Sequence, residues 1–127
     1  MAKPLIVCRD LSIIYNKGKS NEFKALSGVN TDIFEGEYII LFGPSGCGKS
    51  TFIKIIFGIA TYYRGSVKHK GHEVSGWRTD ALVNRGIAYV PQVDNVFPSL
   101  SVRENLEMGG IHLTTPILED RIDRSLE

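Results

Sequence analysis

The sequence is poor in several things at once: two cysteines, two methionines and one tryptophan in 127 residues, and no net charge to speak of, fifteen Lys and Arg against fourteen Asp and Glu. Two cysteines, Cys8 and Cys47, cannot build a disulfide framework, and no His/Cys spacing resembles a zinc site, which points to a reducing compartment. The balanced charge removes the long-range positive field on which nucleic-acid binding and adsorption to anionic membranes depend, so no nucleic-acid partner is expected. Long apolar runs are also missing. Residues 39–42 and 55–60 are the longest, far below the roughly 20 residues of a membrane span, and no apolar stretch precedes Leu5-Ile6-Val7-Cys8 as a secretion signal requires. Any membrane link must therefore run through a partner. What remains, 43% hydrophobic and 23% charged residues, suits one folded globular domain spanning 1–127. Glycine is the exception to this plainness, at 13 residues, and implies tight backbone geometry somewhere.

Read along the chain, residues 5–7 and 11–15 form strand on either side of a break at Arg9-Asp10, and 16–21 is a polar turn. Residues 25–34 alternate apolar with polar, and 38–42 is a strand expected to be buried on both faces. A helix over 50–57 is apolar nearly all round before Gly58 stops it, which predicts burial. Residues 65–74 read as a hairpin, 79–85 as a helix capped by Thr79, and 86–90 as another buried strand. Ser101 and Glu104 make a capping box for a helix ending at Gly109-Gly110, and Thr115-Pro116 opens an amphipathic last helix carrying Leu118, Ile122 and Leu126. The histidines His69, His72 and His112 fall in polar loops and are expected to be solvated.

Between the strand at 38–42 and the helix lies GPSGCGKS (43–50), a match to G-x-x-x-x-G-K-[ST] in the context that motif requires. From average residue frequencies such a match arises in roughly 0.4% of random chains of this length. The chemistry accounts for each residue type. Phosphate oxygens need several amides converging on one point, and glycines at Gly43, Gly46 and Gly48 let the backbone curl that tightly. The amides of 46–51, with Ser45 and Cys47 in the turn, would form the nest and the helix dipole would face the same anions. Lys49 would place its charge on the β and γ phosphates, and Ser50 would ligate Mg²⁺. Cys47 reads as a small filler rather than a nucleophile.

The run 43–51 (GPSGCGKST), Tyr15 upstream, YVPQ at 89–92 and VFPSLSVRENL at 96–106 together resemble the ATP-binding subunit of ABC transporters, over essentially the whole chain. Residues 95–110 are most similar to the subunits of branched-chain amino-acid uptake systems. The resemblance implies an α/β fold, a P-loop NTPase with an N-terminal antiparallel β subdomain. It implies ATP and Mg²⁺ as cofactors, with Gly43, Ser45, Gly46, Cys47, Gly48, Lys49, Ser50 and Thr51 around the phosphates. Tyr15 corresponds to the aromatic that stacks on adenine, the alternative being an ordinary strand aromatic. Gln92 corresponds to the glutamine that completes the Mg²⁺ shell and senses the γ phosphate. Val96, Phe97, Pro98 and Leu100 would shape a groove for a membrane partner, unless they serve only local packing.

The family's pattern continues with an LSGGQ signature, a strand ending in Asp-Glu and a switch histidine, none of which occurs by Glu127. The chain thus reads as an N-terminal half, truncated before the signature, whose sheet lacks two strands between 38–42 and 86–90. It is expected to be inactive in hydrolysis, for want of a group to orient the attacking water. The complete protein is expected to be a transport-coupled ATPase, peripheral on the cytoplasmic face of the membrane. Its expected partners are permease subunits and a second ATP-binding subunit. A soluble ABC ATPase of DNA repair or translation, or a P-loop kinase or GTPase, are the competing readings.

Overall fold

A computed structural model of the protein describes residues 2–60 and 64–127. The chain forms two compact units, residues 1–89 and 90–127.

The first unit is built on a four-stranded antiparallel sheet of order β2-β1-β3-β4, with β1 Ile6–Tyr15, β2 Phe23–Ile33, β3 Arg64–His69 and β4 His72–Glu73. The predicted break at Arg9-Asp10 is a bulge inside β1 rather than an end of it. Asp10 takes a positive φ of 51°, its amide donates to Asn30 Oδ1 at 3.0 Å, and its carboxylate pairs with Arg64. Those side-chain partners satisfy the polar groups that leave the ladder, so the strand continues past them. Arg9 pairs with Asp32 across the strands at 2.5 and 2.9 Å and holds that carboxyl below the usual range. Cys8, Leu11 and Ile13 of the central strand are buried with Val67 and Val74 against Phe52 and Ile55 of α1 (Lys49–Ile56) and Leu82 of α2 (Thr79–Val83). Burial pushes the Cys8 thiol up to about 11, which leaves it an inert core residue.

Four expectations for this unit need correction. Residues 38–42 and 86–90 pair with no strand among the described residues, and Tyr38 and Phe42 are 89% and 86% exposed. Their apolar composition suits a central strand, but a strand exists only where neighbours complete its hydrogen bonds. Helix α1 buries Phe52 and Ile55 while Ile53 stays exposed, so it is covered on one side only. Helix α2 begins after Arg78, and Thr79 donates from Oγ1 to the Phe57 carbonyl at 3.3 Å instead of capping its own helix. His69 is a strand residue, 4% exposed, not a solvated loop residue.

Burial first, then the charges of Lys70 and Arg85, hold His69 below its ordinary value of 6.5. The unfolded chain therefore binds the extra proton more readily, and stability rises with pH across that interval. It is complete above about 6.5 and falls as the pH drops towards the lowered folded value. The urea midpoint is expected to be lower at pH 5.5 than at pH 7.5, with the difference shrinking in His69→Phe; an equal pH dependence in that variant would remove His69 as its cause.

The second unit pairs α3 (Val102–Gly109) with α4 (Thr115–Leu126). The capping box is formed: Ser101 Oγ accepts from the Glu104 amide at 3.3 Å, and Glu104 Oε2 accepts from the Ser101 amide at 2.7 Å. The Ser101 hydroxyl, donating to Glu104 Oε2 at 2.7 Å, and then the Ser101 amide hold the Glu104 carboxyl below the usual carboxylate range. Arg103 of α3 reaches Glu119 and, at 3.7 Å, Asp123 of α4. The N-cap of α4 is Thr114 rather than Thr115, because Pro116 is tolerated within the first turn and not only at its first residue. Ile122 is buried and Leu126 exposed.

Candidate functional site

The loop 43–48 delivers the chain from the unpaired stretch 38–42 into α1. Gly43, Gly46 and Gly48 take φ of 149°, 82° and 98°, values a side-chain-bearing residue adopts only under strain. Gly48 is further constrained by its neighbours: a Cβ there would lie 2.6 Å from the Ala25 carbonyl oxygen and 2.9 Å from Leu26 Cδ2. The glycine thus lets the start of α1 press directly on the backbone of β2.

Lys49 Nζ folds back over the loop, donating to the carbonyls of Gly43 at 2.7 Å and Pro44 at 2.8 Å and lying 3.4 Å from Cys47 Sγ. An ammonium held this way is aimed at the loop's concavity, ready to exchange carbonyl partners for anionic oxygens. The Cys47 amide donates to the Pro44 carbonyl at 3.3 Å, so it is turned into the loop and is the one member of the expected 46–51 nest already engaged. The first-turn amides of Lys49, Ser50 and Thr51 precede any possible intrahelical acceptor, and α1 carries no acidic residue in that turn. The helix end therefore presents donors and partial positive charge together. No group of three or more His, Cys, Asp or Glu side chains that could hold a metal occurs among the described residues. The metal-ligating oxygen offered here is the Ser50 hydroxyl.

Around this loop opens a cleft of about 350 Å³. It is lined by Tyr15, Phe23 and Ala25 together with residues 45–46 and 48–51. The structure thus brings together Tyr15 with Ser45, Gly46, Gly48, Lys49, Ser50 and Thr51. Gln92 is exposed in a bend of the second unit. Phe23 was not legible as a site residue from sequence; the signal is the polar turn 16–21, which closes a hairpin and sets Phe23 opposite Tyr15. In the second unit, Val96, Phe97, Pro98 and Leu100 line an apolar groove of about 690 Å³ with Val102 and Met108, and no charged side chain lines it. Asn105 fixes its shape, accepting from the Phe97 amide at 2.7 Å and donating to the carbonyls of Phe97, Leu100 and Ser101 at 2.9–3.2 Å.

The pattern of the family described as ABC transporter matches residues 26–127. A probable branched-chain amino acid transport ATP-binding protein LivF of Archaeoglobus fulgidus is 40% identical over 84% of this chain and 45% of its own length. The high-affinity branched-chain amino acid transport ATP-binding protein BraG of Pseudomonas aeruginosa is 33% identical over 84% of this chain and 46% of its own. Other relatives carry the names of sulfate/thiosulfate import, sn-glycerol-3-phosphate import and lipoprotein-releasing ATP-binding proteins. Among solved structures, the dimeric structure of MJ0796, a bacterial ABC transporter cassette, superposes with a TM-score of 0.77 at 30% identity, over 95% of this chain and 54% of that one. The chain spans about half the length of the curated relatives it matches.

Proposed function

The chain belongs to the ABC transporter ATP-binding family, and on that premise we propose that it holds ATP as part of the energy-coupling subunit of a membrane transport system. The observation that carries this reading is that an exposed aromatic, Tyr15, lines the same cleft as a glycine-built loop and the open end of α1. A nucleoside triphosphate has the matching polarity, a flat π system at one end and concentrated negative charge at the other. In this reading Lys49 releases the Gly43 and Pro44 carbonyls and takes the β and γ phosphate oxygens. The free first-turn amides take the remaining oxygens, and Tyr15 stacks on the base.

Mg²⁺ fits the donor set, since it prefers hard oxygens and is usually held by phosphates, water and few side chains. Ser50 would be its ligand here, and for Gln92 the same role rests on the resemblance of YVPQ to the family's pattern. Turnover in the complete protein would draw on residues outside these 127, and the chain itself is expected to release no phosphate from ATP.

Among the described residues no helix is long and apolar enough to cross a membrane. The uncharged groove over Val96, Phe97, Pro98 and Leu100 suits an apolar segment of a permease subunit, which would hold the protein peripherally on the inner face of the membrane. A second ATP-binding subunit would complete the assembly, a reading supported by the dimeric MJ0796 structure. Branched-chain amino acids are the proposed solute and uptake the proposed direction, supported by the names of LivF and BraG.

Titration of ATP into the protein is the test. Tyr15→Ala is expected to weaken binding about tenfold, within the range of base stacking, while Tyr15→Trp keeps it, because stacking needs a π face and not a hydroxyl. ATP binding no stronger than in a variant lacking the Lys49 ammonium would remove the reading.

A further inference from the structure

We propose that Phe23 is a second base-contacting residue, forming with Tyr15 a two-ring wall against the nucleobase; this rests on the reading of the cleft as an ATP site. Tyr15 and Phe23 are direct partners in the β1–β2 register. Residues so opposed carry their side chains on one face of the sheet, with Cβ atoms about 4.5–5.5 Å apart. Here that face is the cleft, since both residues line it. Both rings are substantially exposed, Tyr15 at 42% and Phe23 at 54%, so neither is committed to the core. Nor are they spent on each other: among the described residues the ring-to-ring contact is that of Phe57 with Tyr89, centroids 5.3 Å apart.

The same strand sets the distance to the phosphate end. Ala25, at the register shift of the β1–β2 pair, also lines this cleft, and its side chain is small. Its carbonyl is the group that Gly48 approaches. One short piece of β2 thus lines the cleft with a ring at Phe23 and, at Ala25, braces the start of α1. The turn joining the rings is bonded internally, which fixes their spacing before any ligand arrives. The Lys19 amide donates to the Asn16 carbonyl at 2.9 Å, and the Gly18 amide to Glu22 Oε2 at 2.7 Å. A wall ordered beforehand loses little entropy on binding.

The experiment measures equilibrium binding of ATP, and separately of inorganic tripolyphosphate, to the full chain and its variants. Phe23→Ala is expected to weaken ATP about tenfold, as loss of one stacking partner does, and to leave tripolyphosphate unchanged. Phe23→Trp should bind ATP close to wild type, and the double variant Tyr15→Ala/Phe23→Ala should bind ATP no better than tripolyphosphate. Unchanged ATP affinity in Phe23→Ala overturns the proposal, and so does an equal loss for both ligands, which would mean the ring supports the scaffold. If Tyr15→Ala weakens ATP and Phe23→Ala does not, Phe23 alone is removed. If wild type binds neither ligand, the ATP-site reading falls, and the proposal with it.

Discussion

Lys49→Ala is expected to reduce ATP affinity by at least about tenfold, since hydrogen bonds to a charged group contribute roughly 1.5–3 kcal/mol and each 1.4 kcal/mol is a factor of ten. The effect has two sources that a second substitution separates. In the free protein the ammonium ties the carbonyls of Gly43 and Pro44 together, so its removal loosens the loop as well as deleting a phosphate partner. Lys49→Arg keeps the charge but replaces a compact ammonium by a planar fork that cannot sit against both carbonyls in the same way. Arg is therefore expected to retain part of the tripolyphosphate affinity and less of the ATP affinity, while Ala loses both. Titration calorimetry of the three proteins decides it, and equal affinities throughout would mean that Lys49 does not meet the phosphates.

Gly48→Ala is expected to destabilise the first unit by about 2 kcal/mol or more and to abolish measurable ATP binding. A left-handed residue with a Cβ costs about 1–2 kcal/mol by itself. At Gly48 the new methyl also meets the Ala25 carbonyl at 2.6 Å and Leu26 at 2.9 Å, so either α1 or β2 must move. Gly46→Ala is the control. Its φ of 82° carries the same conformational strain, but nothing lies within 4 Å of its missing Cβ. Urea unfolding should show the larger loss at Gly48, and a Gly48→Ala protein no less stable than Gly46→Ala would place the helix start away from β2.

The features legible in the sequence are those whose cause is local. The phosphate loop announces itself because three left-handed positions demand three glycines, and the α3 capping box because Ser101 and Glu104 satisfy each other's amides within one turn. The antiparallel sheet likewise follows from alternation and from the Lys70-Gly71 turn, where both residues take positive φ. Composition alone does not carry the presence of a partner; the want of two strands between 38–42 and 86–90 is legible only through the family resemblance. Residues 38–42 and 86–90 have the composition of central strands, and composition records what a segment could bury, not whether a neighbour is there to bury it. The same gap explains His69, whose polar neighbours suggest a loop while strand pairing with Ile6 and His72 encloses it. It explains Phe23 too, unremarkable in sequence and significant only once the hairpin sets it across from Tyr15.

The bare stretch Tyr38-Ile39-Ile40-Leu41-Phe42 has a consequence for the protein in bulk. It holds five apolar residues in a row, with no charge and no proline, and its backbone amides and carbonyls are unclaimed by any strand among the described residues. Such a window is a template for intermolecular β pairing. Light scattering should therefore climb steeply with protein concentration, and a single gatekeeper charge, Ile40→Lys, should flatten that rise while leaving the glycine loop in place. Nucleotide should act in the same direction, because ATP held by the loop that follows Phe42 restrains the stretch leading into it. Crowding between molecules and occupancy of the cleft then become opposing claims on the same five residues.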